Sequence, residues 1–416
     1  MGISLCKKCF EPNKNENESR NEKINPEYPS STINNIKQNE IKKEIIPQNS
    51  NNKIDNSIYP NIIICYKEIQ LDIINEIKPK NIKNNADMKE ENIFSNEFEL
   101  YGFINDGNNC YLNSSLQLLT RINEMKNKII NYKGNINTDS ITKGKLFKEF
   151  KNILENISNG KNSINPKGLK NVMGKIDERY YQNNQEDANE FISNFLEGLL
   201  DEIGDKNSLP ERLNITNEEE LKSYNKFYNK FYKSKGNSFL LDLFYVIIKN
   251  QKICKDCKKL IIKFNAYNII ELPIYEFAKK NKNKDLDFVE ILKKFKEEKK
   301  DGECIYCHSN NIYESTNFYK LSKYLIFYFG RTIDNEYINN NIIYPEKYNF
   351  EIFQNFKYKL ECVIEHFGYA HSGHYTSLCN LSGEKKLYKF NDISFYPNDS
   401  QFHGDNAIIL LYKKID

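Results

Sequence analysis

Cys110 ends the run Tyr101-Gly-Phe-Ile-Asn-Asp-Gly-Asn-Asn-Cys110, where a polar, glycine-containing loop gives way to an apolar stretch with helical spacing. At a helix start, free backbone N–H groups and the positive end of the helix dipole favour thiolate over thiol. The same N–H groups can hold an oxyanion. Alone, the position reads as either a nucleophile or a buried thiol. A second block, Glu365-His-Phe-Gly-Tyr-Ala-His-Ser-Gly-His-Tyr-Thr-Ser377, gathers His366, His371 and His374, three of the five histidines. A nucleophilic thiol needs such a base within hydrogen-bond reach, and the base needs an acceptor on its other ring nitrogen. The run Tyr388 to Asp392 supplies that acceptor on a neighbouring strand. Alone, the histidine block equally suits a metal half-site or a set of surface histidines.

Two further pairs, Cys254-Lys-Asp-Cys257 and Cys304-Ile-Tyr-Cys307, have the spacing of tetrahedral thiolate ligation, because each tight turn aims two sulfurs at one point. A thioredoxin-like redox motif or four unligated thiols are the alternatives, and the former lacks its βαβ context. His308, beside Cys307, is a spare ligand type. The start, Met1-Gly-Ile-Ser-Leu-Cys-Lys-Lys-Cys9, offers Gly2 for myristoylation and Cys6 and Cys9 for palmitoylation, with Lys7 and Lys8 suited to anionic lipid. Cys6 stands where Ser or Thr is preferred, so an inert start is the competing reading, and a Cys6/Cys9 metal half-site lacks partners. One acyl chain binds marginally, and stable anchoring takes a second signal.

The elements that must position these groups follow from composition and period. Of 416 residues, 39% are hydrophobic and 13% aromatic, enough for a sizeable core. A formal charge of +3 from 60 basic and 57 acidic residues gives no case for nucleic-acid binding. No stretch has the length of a spanning helix and the first residues lack a secretory apolar run, which predicts an intracellular, cytoplasmic protein, membrane-associated if the start is acylated. In a reducing compartment ten cysteines point to ligation, catalysis, lipidation or burial rather than disulfides.

Residues 1–97 are crowded with Asn, Lys, Glu and Ser, and no period is sustained, which predicts a largely disordered tether. The folded domain, 98–416, opens on a helix over Tyr111 to Ile122. Helical periodicity recurs in Gly144 to Ile157 and in Gln185 to Ile203, where Ala188, Phe191, Ile192, Phe195, Leu196 and Leu199 share a face. After a polar connector come strands over Phe244–Ile248, Leu260–Phe264, Ile269–Ile274, Tyr324–Phe329, Tyr358–His366, Tyr375–Leu378, Leu387–Asn391 and Ala407–Tyr412. Helices first and antiparallel strands later predict an α+β domain.

Taken together, the Cys110 block, Gln185-Glu-Asp-Ala-Asn-Glu-Phe191, Gly373-His-Tyr-Thr376, and Phe390-Asn-Asp392 followed by Ala407-Ile-Ile-Leu-Leu-Tyr412 resemble the ubiquitin-specific proteases in order and spacing over Phe98 to Tyr412. The resemblance implies a papain-like fold of thumb, palm and fingers, and a monomeric enzyme acting on ubiquitin and ubiquitinated proteins. It makes Cys110 the nucleophile, His374 the base, Asn391 the orienting residue with Asp392 as helper, and Asn105 the side-chain oxyanion donor. Asp187 and Glu190 match positions that contact the basic substrate tail; on the residues alone they are equally solvated helix charges. The cysteine pairs match finger tips that close one structural Zn²⁺ site with four Cys ligands, and no catalytic cofactor is implied. Proteases for another ubiquitin-like modifier share these motifs, and an inactive ubiquitin-binding scaffold is the rival from another class. Departures are Phe103 for Leu, Asn109 for Thr, Asn189 for His, Glu365 for Asn, and Phe-Gly-Arg-Thr332 for Lys-Arg-Phe.

Overall fold

The computed structural model describes residues 99–416 apart from 283, 298, 301, 334–335, 351–355, 370–371, 382–386, 399–400, 403 and 416. Gly2, Cys6, Cys9, the Asn/Lys-rich stretch to residue 97 and His371 lie outside the described residues.

The first layer is helical: Cys110–Thr120, Asn123–Ile130, Lys145–Ser158, Lys167–Met173 and Ala188–Ile203. The Cys110–Thr120 helix lies at its centre, with all of its residues buried. Tyr111, Tyr180 and Phe191 meet around it with ring centroids 5.6–6.1 Å apart, and Phe150 packs on Phe195 at 4.8 Å. Burying each such ring contributes about 1.5–3 kcal/mol relative to leaving it exposed. Arg121, just past the helix, stacks its guanidinium on Tyr101 and on Phe390 at 4.7 and 4.0 Å, joining the helical layer to the sheet.

The second layer is an eight-stranded sheet. Along it run Ser394–Asn398, Leu387–Asn391, Ser372–Asn380, Phe356–Tyr369, Ala407–Ile415, Tyr324–Phe329 and Ile270–Leu272, with Lys347–Phe350 also paired to Phe356–Tyr369. All pairings are antiparallel except Ile270–Leu272 with Tyr324–Phe329. The α+β expectation therefore holds, with one parallel pair at the edge. A separate four-stranded antiparallel sheet is formed by Leu260–Tyr267, Val246–Cys254, Ile312–Lys320 and Lys299–Lys300, and it carries both C-x-x-C turns.

Several boundaries differ from the sequence reading. The polar connector contains an 18-residue helix, Glu218–Lys235, whose Tyr224, Phe227, Tyr228, Phe231 and Tyr232 form an aromatic stripe masked by interleaved Lys and Asn. That stripe packs on the small sheet, Tyr224 meeting Phe264 at 5.5 Å. Phe239–Phe244 is helical where a strand was expected to begin, and the chain after Leu272 turns into the helix Ile274–Lys280. The third segment expected to be helical starts at Ala188, because Asp187 is its N-cap: the carboxylate accepts from the Asn189 N–H at 2.6 Å.

The Phe-Gly-Arg-Thr departure also has a structural reason. Arg331 is almost fully buried and donates to the carbonyls of Ala407, Ile338, Asn340 and Gly404 at 2.8–3.1 Å. A guanidinium with that many acceptors ties the end of strand Tyr324–Phe329 to two segments, 338–340 and 404–407.

Candidate active site

Cys110 is the first residue of the central helix, and His374 stands near the start of strand Ser372–Asn380, which packs against that helix. The ring Nε2–H of His374 donates to Asn391 Oδ1 at 2.6 Å, from the end of the adjacent strand. That bond fixes the tautomer and leaves Nδ1 free to take a proton from a thiol. On the other side, the backbone N–H of Tyr375, the residue after His374, points at the Cys110 sulfur. The residues that carry the thiol and the imidazole thus come from two layers that meet along one helix–strand contact.

Burial pushes the Cys110 thiol up, and the nearby Asp392 carboxylate adds to the rise. The backbone N–H groups of Tyr375, Tyr111 and Cys110 pull against both and do not win. This corrects the expectation that a helix start alone lowers the thiol. The helix N-terminus is present, but the sulfur is enclosed there, and removing a thiolate from water costs more than the amides return.

Asp392, in a left-handed conformation at φ +52, is the hub of the surrounding polar network. One carboxylate oxygen accepts from Asn105 Nδ2 at 2.9 Å and the other from Asn113 Nδ2 at 2.8 Å. The Asn105 side-chain Oδ1 in turn accepts the N–H groups of Gly107 and Asn109 at 3.1 and 3.0 Å. Asn105 therefore holds the loop that delivers Cys110 in shape, and its amide orientation is dictated at both ends. One of its two side-chain N–H bonds goes to Asp392, which leaves the second N–H for another acceptor. Loop residues Gly107 and Asn108 both have positive φ, at +140° and +48°, which suits Gly and Asn and few other types.

The remaining expected site residues are held within the chain. Asp187, besides capping its helix, accepts from the Tyr328 hydroxyl at 3.1 Å, and burial raises its pKa. Glu190, one turn on, is paired with Arg179 at 2.7 Å; Arg179 also bonds Asp177 at 2.6 Å. Glu365 accepts from Thr376 Oγ1 and from Lys389, both at 3.0 Å, so its departure from Asn fills a structural role. His366 is buried against Tyr375, with ring centroids 4.5 Å apart, and burial together with Arg331 and His374 pushes its pKa down. Two residues given no role in the sequence reading belong to the same network. Asn113 is named above, and Gln185 makes two reciprocal bonds with Gly373: its Nε2 donates to the carbonyl at 2.8 Å and its Oε1 accepts the N–H at 2.7 Å. A glutamine in a polar run carries no signal of its partner.

The family model described as ubiquitin carboxyl-terminal hydrolase matches residues 101–412. The chain belongs to this family. A relative from Drosophila melanogaster, ubiquitin carboxyl-terminal hydrolase Usp2, is 23% identical over 81% of this chain and 38% of its own length. Human ubiquitin carboxyl-terminal hydrolase 2 is 25% identical over 76% of this chain and 55% of its own length. Ubiquitin carboxyl-terminal hydrolase 4 of Saccharomyces cerevisiae is 24% identical over 76% and 39%. The chain thus spans between about two fifths and just over half of these relatives. In fold it is similar to a chain in the solved SAGA DUB module of Ubp8, Sgf11, Sus1 and Sgf73 bound to monoubiquitin, with TM-score 0.58, 17% identity and coverage of 77% of this chain and 70% of that one. The helical layer is accordingly the family's thumb, the large sheet its palm and the small sheet its fingers.

At the finger tips, the sulfurs of Cys254, Cys257, Cys304 and Cys307 all lie within 4.8 Å of one another, with Cys254 to Cys307 and Cys257 to Cys304 each 3.6 Å. A tetrahedral Zn²⁺ with bonds of about 2.3 Å requires sulfurs about 3.8 Å apart, so the donor set fits. The two turns are built alike. Lys258 and His308, each just after the second cysteine, have φ near +58°, and the N–H of each first cysteine donates five residues on, to Lys259 and Ser309. The His308 ring instead faces Glu303 at 2.8 Å. Among the described residues this quartet is the only close group of three or more metal-type ligands.

Proposed function

We propose that this chain is a thiol-dependent deubiquitinating hydrolase that cleaves after the C-terminal glycine of ubiquitin in conjugates. The observation that carries this is the His374 Nε2–H···Asn391 bond, made on the strand that brings the next backbone N–H to the Cys110 sulfur. A base oriented on one nitrogen beside an enclosed thiol is the arrangement nucleophilic acyl transfer requires.

His374 Nδ1 takes the Cys110 proton, and the thiolate sulfur adds to the carbonyl carbon of the terminal glycine. Asn105 Nδ2 and the helix-start N–H groups hold the resulting oxyanion. Collapse of that intermediate breaks the C–N bond as His374 gives its proton to the departing lysine amine, leaving a thioester on Cys110. The same imidazole then takes a proton from water, whose oxygen attacks the thioester, and returns it to the thiolate. Burial raises the Cys110 pKa, so formation of the thiolate relies on His374 Nδ1 as the proton acceptor. Asp187 and Glu190 are the acceptors we assign to the basic substrate tail, with Arg179 occupying the place of a substrate arginine on Glu190 in the free protein. One structural Zn²⁺ on the four finger cysteines, if bound, supplies no chemistry to this sequence of steps; it closes the finger tips.

A ubiquitin probe with a C-terminal electrophile tests the reading. The parent should form an adduct detectable by mass, and Cys110→Ala should form none. An unreactive parent would sink the proposal, and labelling that survives the substitution would show the wrong nucleophile. Parallel probes built on other ubiquitin-like modifiers address the rival substrate class.

At the start of the chain we propose acylation of Gly2, with Cys6 or Cys9 as the second signal, so that residues 1–97 tether a cytoplasmic enzyme to a membrane surface. No helix among the described residues is long and apolar enough to cross a membrane. Gly2→Ala should move the full chain from the membrane to the soluble fraction, and equal membrane fractionation of variant and parent would overturn the proposal.

A further inference from the structure

The short segment Asn183 to Gln185 touches the two chain segments that carry Cys110 and His374. On one side, Asn108, in the loop that delivers Cys110, donates its Nδ2–H to the Asn183 carbonyl at 2.6 Å. On the other, the Gln185 side chain closes its two bonds on Gly373, the residue immediately before His374. The segment is itself anchored. Lys170 Nζ holds Asn183 Oδ1 at 3.1 Å, and Asp187, two residues after Gln185, is fixed as helix cap and by Tyr328.

Gly373 needs such support. It lies opposite Gly368 in the hairpin, and Gly368 has φ +131. Two facing glycines leave the backbone free of side-chain restraint. Nor can Gly373 be replaced by a stiffer residue: a Cβ there would fall 2.2 Å from His366 Nε2 and 2.6 Å from the Phe367 carbonyl oxygen. His366 is immobilised by its packing on Tyr375. Gly373 is therefore held between an imidazole wall on one side and the Gln185 carboxamide on the other.

We propose that Gln185 is a positioning residue that, with His366 as backstop, clamps Gly373 and so sets His374 relative to Cys110, the segment 183–185 serving as a brace between thumb and palm. The inference rests on the reading of His374 as base. Both bonds are needed for it. The two bonds engage the peptide units on either side of the Gly373 Cα, its N–H in the unit before and its C=O in the unit leading to His374, and so restrain both backbone rotations at Gly373, which a single bond would leave half free. Since catalysis by an oriented base falls steeply with displacement, loss of the clamp acts on the chemical step rather than on substrate affinity.

The test compares full-length parent, Gln185→Ala and Gln185→Glu. Three readouts are taken: the pH profile of Cys110 alkylation by iodoacetamide, followed on its own peptide by mass; kcat and KM on a fluorogenic ubiquitin substrate; and ubiquitin affinity in the Cys110→Ala background. Gln185→Ala should lower kcat by about tenfold or more while KM and affinity change less than about twofold, and its alkylation profile should shift toward that of His374→Ala. Gln185→Glu keeps the acceptor for the Gly373 N–H and should recover part of kcat. A loss confined to KM and affinity with an unaltered alkylation profile would make Gln185 a substrate contact and overturn the clamp, as would parental kinetics throughout. A parent that ignores ubiquitin while its alkylation profile still responds to Gln185→Ala would remove the ubiquitin reading and keep the brace.

Discussion

Asp392→Ala is expected to reduce kcat by about 10²–10³, the cost of losing a side-chain oxyanion donor, although the hydrogen bonds of its carboxylate go to Asn105 and Asn113 rather than to the imidazole. Its two oxygens hold Asn105 and Asn113, and Asn105 holds the backbone N–H groups of Gly107 and Asn109 in the loop before Cys110. Without the carboxylate, Asn105 is free to turn its amide away and the loop loses its internal ruler. The same substitution should move the thiol in the opposite sense. The Asp392 charge is one of the causes that raise the Cys110 pKa, so its removal lets the pKa fall toward the ordinary thiol value. At a neutral pH below that pKa, a lower pKa means more thiolate. Cys110 in the variant should then alkylate faster with iodoacetamide than in the parent while turning over substrate more slowly. Asn391→Ala should behave differently: it frees the His374 ring without touching the loop, and its effect should appear as a changed pH profile of kcat. Should Asp392→Ala and Asn391→Ala give the same loss with the same alkylation response, the division of labour between the two residues would be wrong.

That division is what the adjacent positions Asn391 and Asp392 could not disclose in one dimension. Both are short polar side chains at the end of a strand, and either could orient a histidine. The left-handed backbone at Asp392 sends its side chain to the loop before Cys110, while Asn391 reaches the imidazole on the neighbouring strand. Where chemistry and local period coincide, the sequence was legible: Tyr324–Phe329 and Leu387–Asn391 are strands at the expected residues, and the Cys110 helix begins where the polar loop ends. It was least legible where burial depends on a distant partner. The helix Glu218–Lys235 hides an aromatic stripe among Lys and Asn, because only the finger sheet it packs on makes that face an inside. The acidity of Cys110 was misjudged for the same reason: helix position is local, whereas enclosure of the sulfur is tertiary. Gln185 and Asn113 carry no local signal because their partners lie 188 and 279 residues away.

The finger tips carry the other large expected effect. Replacing Cys254 and Cys304 together by Ser should abolish stoichiometric zinc, read by elemental analysis, and unfold the tips locally. The reason is how little else holds them among the described residues. The cluster of buried apolar side chains there is only Cys254, Cys304 and Ile312, with Cys257 packed against it. Ile305 and Tyr306, between the second pair of cysteines, are 71% and 57% exposed and contribute little burial. Among the described contacts, the two turns are otherwise joined by the Asp256 carboxylate, which accepts from the Ser309 hydroxyl and from Asn311 Nδ2, by the Lys255 N–H on the Asn311 carbonyl at 2.9 Å, and by Lys259 over the Tyr306 ring, and such exposed bonds are worth about 1 kcal/mol each. A structural zinc in an isolated finger is worth about 10–16 kcal/mol in apparent terms, so the metal outweighs those bonds by several-fold. The base of the fingers should survive, since the aromatic face of Glu218–Lys235 packs there independently of the tips. Limited proteolysis should therefore open new cleavage sites near residues 254–262 and 302–312 in the double variant. The Cys110 alkylation profile should stay parental, since the thumb and palm network contains no finger-tip residue. Unchanged zinc content, or proteolysis that spreads first to the thumb helices, would show that the quartet is not the metal-dependent clasp of the fingers.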